Sequence, residues 1–400
     1  MPPPLVITIG SATDLIAVGE AIAAAKTGSD GPIEIQLLGV EFALDSPIVF
    51  GSQESGTEET PVTVRGTDAQ LSSIDPNNSD PLIRFEDASH LTLAGLKLNG
   101  SVQIDRGAGI TIESCRFEGF KESAISISAG DRTSLASCRH TVSNCTFQGD
   151  DGATGIDVRG VGCRVKNALI ENCGQGIVFS GNEHLFRRNR IRNVSTSILT
   201  PGGDWTERGN VIRDNWIHHA SAAGVVFADL ASGNVVSGNL IHDCATGVVV
   251  EGGRNHRVTN NVFAHCHPAV RVDGRGEVEG KLPDHVSGDM KHRFESRSPL
   301  EPPYAIRYPD LREVAAYYLH ELGIPPEGNL INRNICIGDW IETVDPVKMG
   351  TLAAQNNVTD GDPGFADAAE RDFTLAESAE VYELGFRPVR YEDTGPNADR

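Results

Sequence analysis

The chain has 400 residues, enough for two or three domains or for one repeat array, and long enough to bury a core. With 34 basic against 55 acidic side chains its formal charge is −21, which argues against a nucleic-acid backbone or an anionic membrane as main partner. Gly 43 and Pro 21 make it turn-rich without reaching low complexity, and a 6% aromatic content leaves Val, Ile, Leu and Ala to build a core of many short strands.

Residues Met1 to Gly10 carry neither the basic start nor the apolar run of a secretory leader, and no later run approaches a membrane span. The expectation is a soluble, cytoplasmic protein, although a secreted chain trimmed of its leader would read the same. Ser11-Ala-Thr-Asp14 offers a helix N-cap, and Leu15 to Ala25 has helical apolar spacing, so residues 1–30 are expected to cap the N-terminal end of a repeat array.

From 31 to 276 a short frame recurs: apolar, two residues, Asn or a small residue, any residue, apolar. It reads Val142-Ser-Asn-Cys145-Thr-Phe147, Val165-Lys-Asn-Ala168-Leu-Ile170, Phe186-Arg-Arg-Asn189-Arg-Ile191, Ile212-Arg-Asp-Asn215-Trp-Ile217, Val236-Ser-Gly-Asn239-Leu-Ile241 and Val258-Thr-Asn-Asn261-Val-Phe263. Weaker copies sit at Leu93 to Leu98 and Ile112 to Phe117. The fourth positions are separated by 23, 21, 26, 24 and 22 residues, the length of one solenoid turn. A second short strand comes after most copies, as in Gly155-Ile-Asp-Val158, Gly176-Ile-Val-Phe179, Gly224-Val-Val-Phe227, Gly247-Val-Val-Val250 and Ala269-Val-Arg-Val272. Strands this short bury their faces only by stacking coil on coil, so the fold class expected is all-β, a right-handed parallel β-helix of the pectate-lyase type.

The periodicity breaks at 277–327, where Leu311 to Glu321 reads as a helix between Pro-rich flanks, a helical insertion rather than a linker. Coils resume over 328–360, and 361–400 reads as an irregular acidic tail.

In such a stack, sequence columns become physical ladders with rungs about 4.8 Å apart. The column Asn189, Asn215, Asn239, Asn261 reads as an inward ladder satisfying backbone groups of neighbouring coils. Cys173, Val194, Ala220, Cys244 and Cys266 read as buried small residues, and the eight cysteines contain no CxxC pair suggesting zinc or redox chemistry. His218, His219, His242, His265 and His267 recur after the first strand; a polar turn ladder is expected there rather than a metal site.

Asp204, Asp229, Glu251 and Asp273 fall on four consecutive coils near one corner, and stacked like charges need an explanation. Three are open: carboxylates flanking a scissile glycosidic bond, calcium coordination of the kind pectate-type lyases employ, or a solvated acidic edge. Trp205, beside Asp204, is the candidate sugar-stacking platform. No cofactor is expected and no metal ligand is assigned.

The stretches Phe179-Ser-Gly-Asn-Glu-His-Leu185, Gly203-Asp-Trp-Thr-Glu-Arg-Gly-Asn-Val-Ile-Arg213, Ala231-Ser-Gly-Asn234, Glu251-Gly-Gly-Arg-Asn255, Asn260-Asn-Val-Phe263 and Val272-Asp-Gly-Arg-Gly276 resemble β-helix proteins related to glycoside hydrolase family 141. Arg307-Tyr-Pro-Asp-Leu311, Asp362-Pro-Gly-Phe365 and Leu384-Gly-Phe-Arg-Pro388 extend the similarity over most of the chain from about residue 30. That family includes α-L-fucosidase and xylanase activities. The resemblance implies Asp204 and Asp229 as the catalytic pair, with Glu251 or Asp273 tuning or substituting. Where the family pattern often reads Asp-Asp-Gly, this chain has Ala228-Asp229-Leu230. Trp205, Glu251, Asp273, Arg254, Arg275 and His184 are the substrate-binding candidates.

The leading functional expectation is therefore a glycosidase acting on a poly- or oligosaccharide. A polysaccharide lyase or epimerase is the first alternative; the seven lysines, none in the corner, weigh against it, while Arg254 and Arg275 keep it open. A non-catalytic glycan-binding β-helix is the second. A carbohydrate partner is expected, with no nucleic acid or membrane partner, and the oligomeric state is left open.

Overall fold

The computed structural model describes residues 3–28, 31–39, 41–67, 69–75, 77–344 and 351–396. Short strands alternate with turns and stack in parallel into a 13-stranded sheet and a 20-stranded sheet, which is the expected right-handed parallel β-helix. Each coil gives one strand to the first sheet, from Leu5–Ile9 through Arg164–Lys166 and Val211–Arg213 to Ala353–Gln355. The second sheet holds two strand columns per coil, fused where Arg190–Thr200 and Trp216–Phe227 run continuously through both.

Alternation at period two sends one side chain of each pair inward. Val142, Val165, Phe186, Ile212, Val236, Val258 and Ile331 stack in register as one fully buried column of the core. The insertion leaves this register intact, because Val258 pairs directly with Ile331 across it.

The asparagine ladder is present and longer than its four-member sequence column. Asn189, Asn215, Asn239, Asn261, Asn334 and Asn357 each accept, through Oδ1, the backbone N–H of the equivalent residue one coil earlier, at 2.9–3.0 Å. Each Nδ2 donates to a carbonyl of that earlier coil, as Asn239 does to Ile212 at 3.0 Å. A second ladder runs beside it: His184 N–H donates to Asn210, Asn210 to Asn234, Asn234 to His256 and His256 to Asn329. The neighbouring left-handed turn slot takes Asn144, Asn167, Arg188, Asp214, Asn260 and Arg333.

The N-terminal end is closed by helices α1 (Ala12–Ile16), capped by Ser11 accepting from the Asp14 N–H, and α2 (Val18–Gly28). Leu15, Val18 and Ile22 join the main core. The insertion folds into α3 (Lys291–Ser296), α4 (Tyr304–Arg307) and α5 (Leu311–Leu319), and packs with Trp205 and Leu230 of the β-helix as a second apolar cluster. The tail packs back on the solenoid: Phe373, Val381, Phe386 and Tyr391 cover the outward column Leu240, Val262, Ile335.

Asn239→Ala leaves the Asn215 N–H without its acceptor inside the stack and takes one of two donors from the Ile212 carbonyl, which keeps its strand pairing. At roughly 1–3 kcal/mol for an orphaned buried group, the expected cost is about 1–3 kcal/mol. Urea unfolding should show it, whereas Gln148→Ala on an exposed strand position should shift the midpoint little.

Candidate active site

Two polar clusters divide the sequence candidates. The first lines an open cleft of about 380 Å³, walled by Asp229, Asp273, Arg275, Val344 and, from the insertion, His285. Glu251 and Asp273 end neighbouring strands in direct register, one rung apart. Arg275 bridges them: Nη1 donates to Glu251 Oε2 at 2.6 Å, Nη2 to Asp273 Oδ2 at 2.7 Å and Nε to Asp273 Oδ1 at 3.1 Å. Burial lowers the Arg275 pKa, but the hydrogen bond to Asp273 and the charges of Asp273, Glu251 and Asp229 outweigh it and raise the pKa overall. The Asp229 N–H donates to Glu251 Oε2 at 3.3 Å, while its carboxylate makes no hydrogen bond among the described residues. Asp229 and Leu230 are consecutive left-handed residues, φ 46° and 68°, a turn that the buried Leu230 side chain pins against the insertion.

The second cluster lies under the insertion. Asp204 is buried, and its Oδ1 accepts from the Thr206 N–H at 3.0 Å and from the Thr206 hydroxyl. Arg132 reaches in from the loop bridged at Asp131 and Ala136, donating to Glu207 Oε1 at 2.9 Å, Thr206 Oγ1 at 2.9 Å and Asn182 Oδ1 at 3.1 Å, with Asp204 at 3.7 Å. Glu207 Oε2 and the Tyr304 hydroxyl are buried without a hydrogen-bond partner. Burial, helped by Asp204 and opposed by Arg132, pushes the Glu207 carboxyl up to about 7.

Asp204 and Asp229 belong to different clusters, although their turns adjoin through the Gly203 N–H, which donates to the Asp229 carbonyl at 2.9 Å. No hydrogen bond or ion pair among the described residues joins Asp204 to Asp229; Asp204 is 5% exposed in its side chain and committed to Thr206 and Arg132, whereas Asp229 faces the cleft. Three substrate-binding expectations are corrected. Trp205 is not a stacking platform: it is fully buried, and its indole N–H donates to the Tyr318 hydroxyl at 3.0 Å as the seat of the insertion. Arg254 is buried and clamps the insertion through the Pro325 carbonyl, Glu327 and Glu313 at 2.8, 3.1 and 2.9 Å. His184 is a buried rung of the second ladder, accepting the Cys163 N–H at Nδ1, and burial brings its pKa down to about 4.

Glu251, Asp273 and Arg275 stay together beside Asp229. Sequence reasoning missed His285, Arg132, Thr206 and Glu207. Thr206 and Glu207 lie within the Gly203 to Arg213 motif, whereas Arg132 and His285 stand in segments with no repeat signal.

Arg275 holds the two carboxylates between which a calcium ion would need free oxygens, and among the described residues no three or more His, Cys, Asp or Glu converge as a metal ligand set. His219, Asp243 and His265 are left-handed turn residues, φ 55°, 49° and 54°. His242 Nδ1 donates to Asp243 Oδ2 at 2.8 Å and its Nε2 accepts the Trp216 indole N–H, a polar turn pinned by Arg371 of the tail.

A protein-family profile described as a right handed beta helix region matches residues 99–263. No curated protein matches the chain in sequence. Among solved structures it is similar to one titled glycoside hydrolase, at 9% identity and TM-score 0.55, covering 95% of this chain and 100% of that one. It is also similar to a PL6 alginate lyase in complex with a trisaccharide, at 13% identity and TM-score 0.53, covering 98% and 95%. At these identities the likeness is one of fold.

Glu207 binds its proton more tightly in the folded chain than at its ordinary 4.5, so its contribution to stability is full below about pH 4.5 and is lost as pH rises through about 7. The swing is on the order of 3 kcal/mol. Glu207→Gln should flatten it, read as a smaller difference in melting temperature between pH 5 and pH 8 than in the wild type.

Proposed function

We propose that the chain is a glycan-active enzyme, a glycoside hydrolase working in the cleft of Asp229, Asp273, Arg275 and His285 on a neutral poly- or oligosaccharide. The observation that carries this reading is the charge arrangement of the cleft. Three carboxylates, Asp229, Glu251 and Asp273, surround a single guanidinium that already bonds two of them. An anionic polyuronate would meet surplus negative charge there, while a neutral sugar meets acceptors for its hydroxyls and carboxyls able to move a proton.

Within this reading Asp229, whose carboxylate is free of hydrogen bonds, is the general acid that protonates the leaving oxygen. Asp273, held in a fixed orientation by Arg275, acts at the anomeric carbon, as nucleophile or as the base that activates water. The resemblance to glycoside hydrolase family 141 supports Asp229 in the acidic motif. Asp204, sealed beneath the insertion with Thr206 and Arg132, is a positioning residue that holds the wall from which the Asp229 turn projects; the Gly203 N–H donates to the Asp229 carbonyl at 2.9 Å.

A second reading, a lyase or epimerase, is favoured by His285 and Arg275 lining one cleft, an imidazole and a cation together. Reducing ends and the ultraviolet absorbance of unsaturated products, followed together on neutral and uronate-containing glycans, separate the readings. The expected result is reducing ends without absorbance on a neutral glycan. Asp229→Asn and Asp273→Asn should each lower turnover by roughly 10²–10⁴-fold with circular dichroism unchanged. Absorbance lost in His285→Ala would establish the lyase, and saccharide binding without turnover would establish a binding protein.

A further inference from the structure

We propose that Cys138 and Cys163 are a disulfide-forming site that covalently staples two successive coils of the β-helix. The two Sγ atoms stand 3.2 Å apart, inside van der Waals contact for sulfur, and both residues are buried. The backbones are neighbours on adjacent rungs: the Cys138 N–H donates to the Val161 carbonyl at 3.0 Å, and the Arg164 N–H to the His140 carbonyl at 2.9 Å. Closing 3.2 Å to the bonded ~2.05 Å requires a movement of about 1.1 Å, within the reach of side-chain rotation.

Cys115 and Cys145, and Cys244 and Cys266, also face each other, but their thiols have carbonyl acceptors. Cys115, Cys145, Cys173 and Cys244 each donate Sγ–H to the carbonyl two residues earlier, at 3.3, 3.3, 3.4 and 3.4 Å. Cys266 does the same at 3.7 Å, and Cys336 donates to the Gly338 carbonyl at 3.6 Å. Those six thiols occupy a polar-satisfied slot. Among the described residues neither Cys138 nor Cys163 donates to a carbonyl; each thiol has the other as its hydrogen-bond partner.

The bond forms by two exchange steps with a low-molecular-weight disulfide such as glutathione disulfide. One cysteine thiolate attacks it, releasing a thiol and leaving a mixed disulfide; the second thiolate displaces the other thiol. Two protein thiols are oxidised, one external disulfide is reduced, and two external thiols leave with the protons. Burial of both sulfurs in the finished stack means that exchange runs while the coils assemble. The staple closes a loop of one coil, and it fixes the end of the loop, bridged at Asp131 and Ala136, that delivers Arg132 to Glu207.

The test is to refold the full chain in a glutathione redox buffer, denature it with an alkylating agent and no reductant, and count modified cysteines by mass spectrometry. Of the eight cysteines six should be alkylated, with one linked peptide pair containing Cys138 and Cys163. Cys138→Ser should give seven alkylated cysteines, and dithiothreitol should lower the melting temperature of the wild type by several degrees but leave that of the variant unchanged. Should Cys138→Ser not fold, Cys163→Ala takes its place, and the wild-type peptide map stands alone. Eight alkylated cysteines in refolded wild type, or a bond joining any other pair, would overturn the proposal.

Discussion

Everything in this molecule hangs on the hydrogen bond that one coil makes to the next, and above all on that bond at the turns. Within the strands, parallel pairing satisfies N–H and C=O groups as a matter of course. At the corners the chain changes direction inside the stack, away from water, and a backbone group without a partner there is costly. The inward amides of Asn189, Asn215, Asn239, Asn261, Asn334 and Asn357 solve this by giving each corner an acceptor for the N–H of the coil before and a donor for one of its carbonyls. Asparagine suits the slot because one short side chain carries both functions. Rung height and register are set by these bonds, and with them the vertical alignment of every outward residue.

That dependence explains why so much of the architecture was legible. A residue type required once per coil at an inward corner leaves a period of 22 to 26 from Asn189 to Asn261, and the apolar alternation around it marks the strands. The column Glu251, Asp273 was legible for the same reason, since register alone sets it. Everything contributed from outside the repeat was not. Trp205 looks like an exposed aromatic beside an acid until the insertion, about eighty residues further on at its nearest, covers it. Arg254 and His184 read as site residues because polar side chains in a string of motifs carry no mark of direction; one turns toward the insertion and the other inward along the second ladder. Arg132 arrives from a loop, and His285 from a helical turn of the insertion, in segments whose sequence carries no β-helix period.

The insertion itself is seated by buried charge as much as by apolar contact. Arg208 donates to the Trp205 carbonyl at 2.6 Å and to Asp310, and Arg254 takes Glu313 and Glu327. Both guanidiniums are buried while their carboxylate partners reach the surface, so removing a partner would leave a buried cation uncompensated. Such contacts fix orientation: apolar packing of Leu230 and Leu311 would tolerate sliding, whereas two guanidiniums with defined acceptors, and the Trp205 indole on the Tyr318 hydroxyl, do not. The orientation matters because His285, on the same insertion, forms a wall of the cleft.

The acidic corner can then be understood as a problem solved unevenly. Stacking carboxylates at rung spacing raises their mutual repulsion, and a fold with no use for them would lose them or interleave cations. Here one cation, Arg275, is interleaved between Glu251 and Asp273, and a second, Arg132, is drawn from a distant loop to Asp204 and Glu207. Asp229, between these two neutralised groups along the chain, receives only its place: Leu230 anchors its turn and no cation bonds its carboxylate among the described residues. A solvated edge would leave all the acids alike. Glu251 and Asp273 are held by Arg275, and Asp229 stands at the open cleft without a hydrogen bond to its carboxylate among the described residues; the acid and base roles proposed above rest on this division.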